Sequence, residues 1–173
     1  NTAAGSAFST LRIAIHPVIA RINSDTEAAR KRADVIGAKV IGTATAPITT
    51  ASDAQDSSFG SSVRNRESAM SNMVAQMFKD TLGKDDPNFI GIQNPGGTRA
   101  SLQSGEITYK DAALVLPFAN SLMTTTVTGE QFKQVLEEQW QHDEKGQVPS
   151  RPFLSLGLSN NVSYTYDENL PEG

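Results

Sequence analysis

Three short runs concentrate the side chains able to do chemistry: Arg64-Asn65-Arg66-Glu67, Asn94-Pro95-Gly96-Gly97-Thr98-Arg99 and Pro117-Phe118-Ala119-Asn120. The planar guanidinium fork matches phosphate or carboxylate oxygens two at a time, and a glycine-rich turn lets backbone N–H groups come close to an anion. Arg64 and Arg99 are therefore candidate clamps for a small anion. Arg66-Glu67 reads equally as a surface ion pair or a helix-capping contact. Phe118 follows an apolar run and by default belongs to the core. Exposed at a strand end, however, it can stack on a nucleobase for ~1–3 kcal/mol. Asn120 is then placed to hydrogen-bond the base edge or sugar; its plain reading is a turn residue that tolerates positive φ.

Other chemistries are excluded by what the 173 residues lack. There are no cysteines, which removes disulfides, thiolate metal sites and a cysteine nucleophile. The two histidines, His16 and His142, have no Asp, Glu or His partners at metal-ligand spacing. No G-x-S-x-G elbow, Walker loop or G-x-G-x-x-G follows a strand, so catalysis contained within this chain is not supported. A formal charge of −4 argues against a nucleic-acid polymer as partner. No window approaches the ~18 consecutive apolar residues of a membrane-spanning helix. Residues 1–7 lack the basic start and apolar middle of a signal peptide, so the chain is expected to begin after processing or at an artificial boundary.

The elements that must position these runs follow from periodicity. With 38% hydrophobic, 20% charged and 6% aromatic residues, the chain suits one soluble domain with a real core. A first helix is read from Leu11, Ile13, Ile15, Val18, Ile19 and Ile22 through the charged run 27–34, with Pro17 near its first turn or kinking it. Residues 35–50 are β-branched and extended, with Pro47 at an edge or bend, and 51–62 form a loop containing Phe59. Met70, Met73, Val74, Met77, Phe78 and Leu82 form one apolar helical stripe, which explains the methionines as core, with Gly83 as a stop.

Residues 89–92, 114–117 and 122–127 are strand candidates. Thr128 and Gln131 have capping-box spacing before Phe132, Val135, Leu136 and a structural Trp140, predicting a helix. Residues 153–158 and 162–166 then read as two strands joined near Ser159-Asn160-Asn161, with Val162, Tyr164 and Tyr166 on one face. The order specifies mixed α and β packing, an α+β class.

Five ordered segments carry a family resemblance: R-x-R-E-S-x-x-x-N (64–72), N-P-G-G-T-R (94–99), S-G-E-I-T-Y-K-D (104–111), V-L-P-F-A-N (115–120) and T-G-E-Q-F-K-Q-V-L-E (128–137). Together they resemble the C-terminal domain of the 5'-nucleotidase and UDP-sugar hydrolase family. The resemblance covers 35–166 and implies a four-layer α/β/β/α domain, cut short at its C-terminal end, spanning 35–173. Residues 1–34 look like the helix that links the family's two domains.

That resemblance implies a parent phosphoric ester hydrolase, extracellular, periplasmic or cell-wall associated, whose two divalent metal ions sit on an N-terminal metallophosphoesterase domain outside this chain. It implies that Arg64 and Arg99 hold the phosphates of a nucleotide or nucleotide-sugar, Asn94 assists beside them, Phe118 stacks on the base and Asn120 contacts it. The chain alone is then expected to hydrolyse nothing. Two departures stand out. Pro95 replaces the first glycine of the family's N-G-G-G-x-R turn, removing one N–H donor and fixing φ. The family's second stacking aromatic, with its G-G-D-G segment, falls past residue 173. A rival reading is a non-catalytic anion-binding or protein-interaction module, in which the arginines bind a carboxylate or partner surface and Phe118 is buried.

Overall fold

A computed structural model describes residues 17–51, 63–167 and 169–170. The readings on Leu11, Ile13, Ile15, His16, Phe59 and most of the 51–62 loop lie outside those residues. Among the described residues four α-helices and two small antiparallel sheets bear out the α+β class: α1 (Pro17–Gly37), β1 (Val40–Ala44), α2 (Ala69–Phe78), β2 (Ile92–Gln93), β3 (Gly105–Thr108), α3 (Tyr109–Val115), α4 (Gly129–Glu137) and β4 (Gly157–Leu158). A π-helical turn, Lys79–Gly83, prolongs α2 and ends at the expected glycine.

Helix α2 organises the core. Its N-cap is Ser68, whose hydroxyl accepts from Ser71 N–H at 3.1 Å, satisfying one of the donors left over at a helix start. Met70 and Val74 are fully buried and pack with Leu102, Ile107 and Val115, drawn from β3, α3 and the loop between the sheets. Burial of each such side chain contributes ~1.5–3 kcal/mol. The methionine stripe holds only in part. Met73 is half-buried, whereas Met77 and Leu82 are exposed, because the buried face of α2 turns through Val74 and Ala75 toward Phe78.

Each sheet joins distant parts of the chain. β1 pairs with β3, Thr43 opposite Glu106 and Ala44 opposite Gly105, with an irregularity between Val40 and Gly42. After a bend at 45–46, which places Pro47 as expected, Ile48 bridges to Leu102. β2 pairs with β4, Ile92 opposite Leu158 and Gln93 opposite Gly157. Gly157 is needed for close approach: a Cβ there would strike the backbone of Ser71, so β4 crosses directly against α2. Asn72, from the R-x-R-E-S-x-x-x-N motif, fastens that crossing by accepting from Leu158 N–H at 3.1 Å while donating to the Glu67 carboxylate at 2.7 Å.

Several strand expectations are corrected. Residues 114–117 do not form a strand, since Val115 closes helix α3. The Thr108 hydroxyl accepts from Asp111 N–H while the Asp111 carboxylate accepts from Thr108 N–H and O–H, a capping box that commits the following alanines to a helix. The expected strand at 89–92 shortens to Ile92–Gln93. Residues 122–127 join no ladder and are exposed throughout. Residues 153–158 and 162–166 do not pair with each other: β4 turns to β2, and 162–166 runs without a ladder, although Tyr164 and Tyr166 do share a side at 6.1 Å between rings. Trp140 is structural, with Phe153 at 4.7 Å and Tyr166 at 4.8 Å.

Helix α1 meets this body at its C-terminal end. Lys110 Nζ lies 3.2 Å from Asp34 Oδ1, and Gly37 abuts the Lys110 stem. Elsewhere α1 exposes Val18 and Ile22, and its Arg30 pairs with Glu27 and Asp34 along the helix surface. Exposed pairs of this kind contribute only ~0.3–0.5 kcal/mol each.

Candidate functional site

The site is built around the turn that follows β2. Gly97 N–H donates to Asn94 O at 3.0 Å, closing a four-residue turn with Pro95 at its second position. That position wants φ near −65°, so proline fits it without strain, and the departure at Pro95 preserves the fold of the turn. Neither Gly96 nor Gly97 has positive φ. Space, not conformation, dictates these glycines. A Cβ on Gly97 would collide with the Gln93 amide, and one on Gly96 would sit 3.1 Å from Arg64 Nη1.

Arg64 reaches that position from the segment leading into α2, anchored where its carbonyl accepts from Ser155 N–H at 2.8 Å. Its side chain lines a cleft of about 230 Å³ with Asn94, Pro95, Gly96, Glu138 and Gln139. Arg99 comes from the other side of the turn. Its N–H donates to Val115 O at 2.9 Å, and its Nη1 lies 3.5 Å from Gly96 O. Two guanidinium groups thus flank one glycine.

Arg99 also lies over Phe118, Cζ to ring centroid 5.9 Å. Exposed cation–π contacts of this length contribute ~0.5–1 kcal/mol. Phe118 is 57% exposed, so the default core assignment fails and the ring is available for stacking. Phe118 and Asn120 line a second cleft of about 360 Å³ with Asn94, Gly97, Phe78 and Leu122. Positive φ falls on Ala119, at 50°, rather than on Asn120. This left-handed residue sits between the two candidate base contacts and sets their relative direction.

The five expected residues therefore gather about the turn. Arg64 and Asn94 share one cleft, Asn94, Phe118 and Asn120 share the other, and Arg99 lines neither but spans from Gly96 to the Phe118 ring. Asn94 is common to both clefts.

Sequence reasoning missed the supports. Gln93, 7% exposed, donates from Nε2 to Asn94 O and Oδ1 at 3.0 and 3.1 Å. Gln139, 2% exposed, donates to Leu136 O at 2.9 Å and Tyr164 Oη at 3.0 Å and accepts from Leu156 N–H at 2.9 Å, backing the Arg64 cleft. Thr98 and Ser71 share a buried hydroxyl contact at 3.0 Å that ties the turn to α2. Gln93 stands between the apolar run 89–92 and the Asn94-Pro95 turn, and nothing in its type or spacing marks it as a support. A wider cleft of about 780 Å³, lined by Glu67, Asn72, Gln76 and Tyr164 among others, lies along the outer side of α2. Gln76 and Asn72 there are engaged in the fold, Gln76 donating to Asp80 at 2.7 Å and accepting from Asn160 N–H at 2.9 Å, and Asn72 joining Glu67 to Leu158. Among the described residues, no group of three or more His, Cys, Asp or Glu side chains is placed to hold a metal.

Comparison with known proteins bears on this arrangement. The chain is 35% identical over 127 residues to a probable 5'-nucleotidase of Treponema pallidum, covering 68% of this chain and 20% of that protein. It is 33% identical over 84 residues to a trifunctional nucleotide phosphoesterase of Bacillus subtilis, 49% of this chain and 6% of the other. With an NAD 5'-nucleotidase of Haemophilus influenzae it shares 46% identity over 52 residues, 30% of this chain and 9% of the other. The chain spans a fifth or less of the length of each relative. Residues 40–173 match the family described as "5'-nucleotidase, C-terminal domain". That match takes in every residue of both clefts, and the chain belongs to the 5'-nucleotidase C-terminal domain family.

Proposed function

We propose that this chain is the substrate-binding domain of a secreted, metal-dependent 5'-nucleotidase-type phosphohydrolase, and that it grips the base and phosphate of a nucleotide. The observation that carries this reading is the convergence of Arg64 and Arg99 on Gly96, next to an exposed Phe118. Two guanidinium groups supply fixed donors for phosphate oxygens, and a flat ring nearby suits a nucleobase. Asn94, between the two clefts, lies where a ligand joining phosphate to base would pass.

The two divalent ions that the family resemblance implies would sit on an N-terminal metallophosphoesterase domain of the parent enzyme; among the described residues no group of three or more His, Cys, Asp or Glu side chains is placed to hold one. The part played by this chain is orientation. Holding the phosphate end through Arg64 and Arg99 and the base end through Phe118 and Asn120 fixes the direction of the ester bond. Positioning of this sort can supply a large share of a rate enhancement. Helix α1, which meets the domain at Asp34 and Gly37, would link the two domains.

The test is ligand-observed NMR on the 173-residue chain with adenosine and AMP, for wild type, Phe118→Ala and Arg99→Ala. AMP is expected to bind at roughly millimolar Kd, with adenosine weaker. Phe118→Ala should reduce both ligands, and Arg99→Ala should act on AMP alone. Binding that ignores both substitutions would remove these residues from the site and favour the anion-binding or protein-interaction module.

A further inference from the structure

We infer that Gln93 is a positioning residue that locks the carboxamide of Asn94, holding its oxygen and leaving its N–H2 end to donate to a ligand. This rests on the nucleotide-gripping reading and adds to it a residue that touches no ligand. The argument starts from a backbone atom. Gln93 Nε2 lies 3.0 Å from Asn94 O, which can only accept, so the Gln93 atom there must be its nitrogen. The same nitrogen lies 3.1 Å from one end of the Asn94 side chain. Two N–H groups cannot hydrogen-bond to each other, so that end must be Oδ1. Asn94 Nδ2 is thereby left on the opposite side, and Asn94 is exposed and borders both clefts.

Burial makes this lock firm. Gln93 sits at 7% exposure in β2, opposite Gly157, and the space its amide occupies is the space a Gly97 side chain would need. With Asn94 so held, three donor groups surround the turn: Arg64, Arg99 and Asn94 Nδ2. Arginine cannot accept, and Nδ2 cannot accept. At the Asn94 amide a ligand oxygen that stays an acceptor, as on a phosphate or an ether-type sugar oxygen, is favoured over a group that must donate.

The test is a double-mutant cycle on the 173-residue chain, with AMP titrated into ¹⁵N-labelled wild type, Gln93→Met, Asn94→Ala and the double variant, and Arg64→Ala as reference. Methionine keeps the length and burial of glutamine and removes its donors; Gln93→Leu serves if Gln93→Met does not fold. Gln93→Met is expected to weaken AMP binding about three- to tenfold when Asn94 is present and by distinctly less once Asn94 is alanine, when only the bond to the residue 94 carbonyl is left to lose. In the ligand-free protein, the Asn94 side-chain amide should become more mobile in Gln93→Met while backbone resonances away from the turn stay in place. Losses that add in the double variant, or an Asn94 amide equally ordered without Gln93, would overturn the inference. If Arg64→Ala leaves AMP binding unchanged, the nucleotide-gripping reading falls, and the order of the Asn94 amide alone decides whether Gln93 orients it.

Discussion

The turn at 94–97 and the segment 118–127 border one cleft, yet they are held in different ways. The turn is clasped on every side: Gln93 fills the space beneath it, Thr98 bonds Ser71 of α2, and Arg64 lies across Gly96. The segment 118–127 has no ladder, and it exposes Phe118, Leu122, Met123 and Val127. An anion demands fixed donors, because displaced charges lose their geometry. A stacking surface needs little more than a flat, reachable ring. The contrast places rigidity where the proposed phosphate contacts are and openness where the base would lie.

The sharpest way to probe that contrast is a matched pair of methionines. Met70 is fully buried in the core on α2, next to the Ser71 that bonds Thr98, and Met123 is 83% exposed and shares a cleft with Phe118. Met70→Ala is expected to cost about 2–5 kcal/mol in urea unfolding. Met123→Ala should stay within about 0.5 kcal/mol of wild type. A large loss from Met123→Ala would mean that 118–127 is packed in solution, and the proposed open end of the site would be closed.

A smaller effect is expected between Phe118 and Asn120. Ala119 has φ of 50°, a left-handed conformation that costs an L-residue ~1–2 kcal/mol and glycine almost nothing. Ala119→Gly should therefore stabilise the chain, by up to about 1 kcal/mol once the greater freedom of glycine in the unfolded state is offset. Thermal unfolding reads this directly. A loss of stability would show that Ala119 leaves the left-handed region in solution.

Local chemistry was legible in the sequence, and long-range pairing was not. The Thr128 and Gln131 box sits where its spacing put it, the Thr128 hydroxyl oxygen accepting from Gln131 N–H at 3.2 Å, because both partners lie within one helical turn. The Met70 and Val74 stripe was readable for the same reason. Strands at 89–92, 122–127 and 162–166 were over-read, since a β-branched run records a preference for extended backbone but not whether a partner strand arrives. Ile92 finds Leu158, far along the chain, whereas Leu122 finds none. Residues 114–117 form no strand because the Thr108 and Asp111 cap, which the apolar run Leu114-Val115-Leu116 obscures, starts a helix that reaches Val115. In the site, arginine, glycine and phenylalanine announced themselves by type. Gln93 did not, because its role depends on which way a single strand faces.

The smallest expected effect uses that overlooked cap. The Asp111 carboxyl titrates below the usual carboxylate range, first because the Thr108 hydroxyl donates to it at 2.6 Å and then because Thr108 N–H does so at 2.9 Å. A folded-state pKa below the unfolded one means that the unfolded chain binds more protons in between. The stabilisation is thus complete above about pH 4 and drains away as pH falls through the folded value. Asp167 is lowered in the same direction, by Asn169 N–H and then its side-chain amide. The two carboxyls differ in what they hold. Asp111 fixes the first turn of α3, and Val115 at the other end of that helix is part of the buried core. Asp167 fixes a turn whose neighbours are exposed. Asp111→Asn should accordingly flatten the acid limb of the urea-unfolding midpoint measured from pH 6 to below pH 3, and Asp167→Asn should leave that limb unchanged. Equal flattening by both would mean that the turn after Tyr166 unfolds together with the core, binding the two regions more closely than their contacts imply.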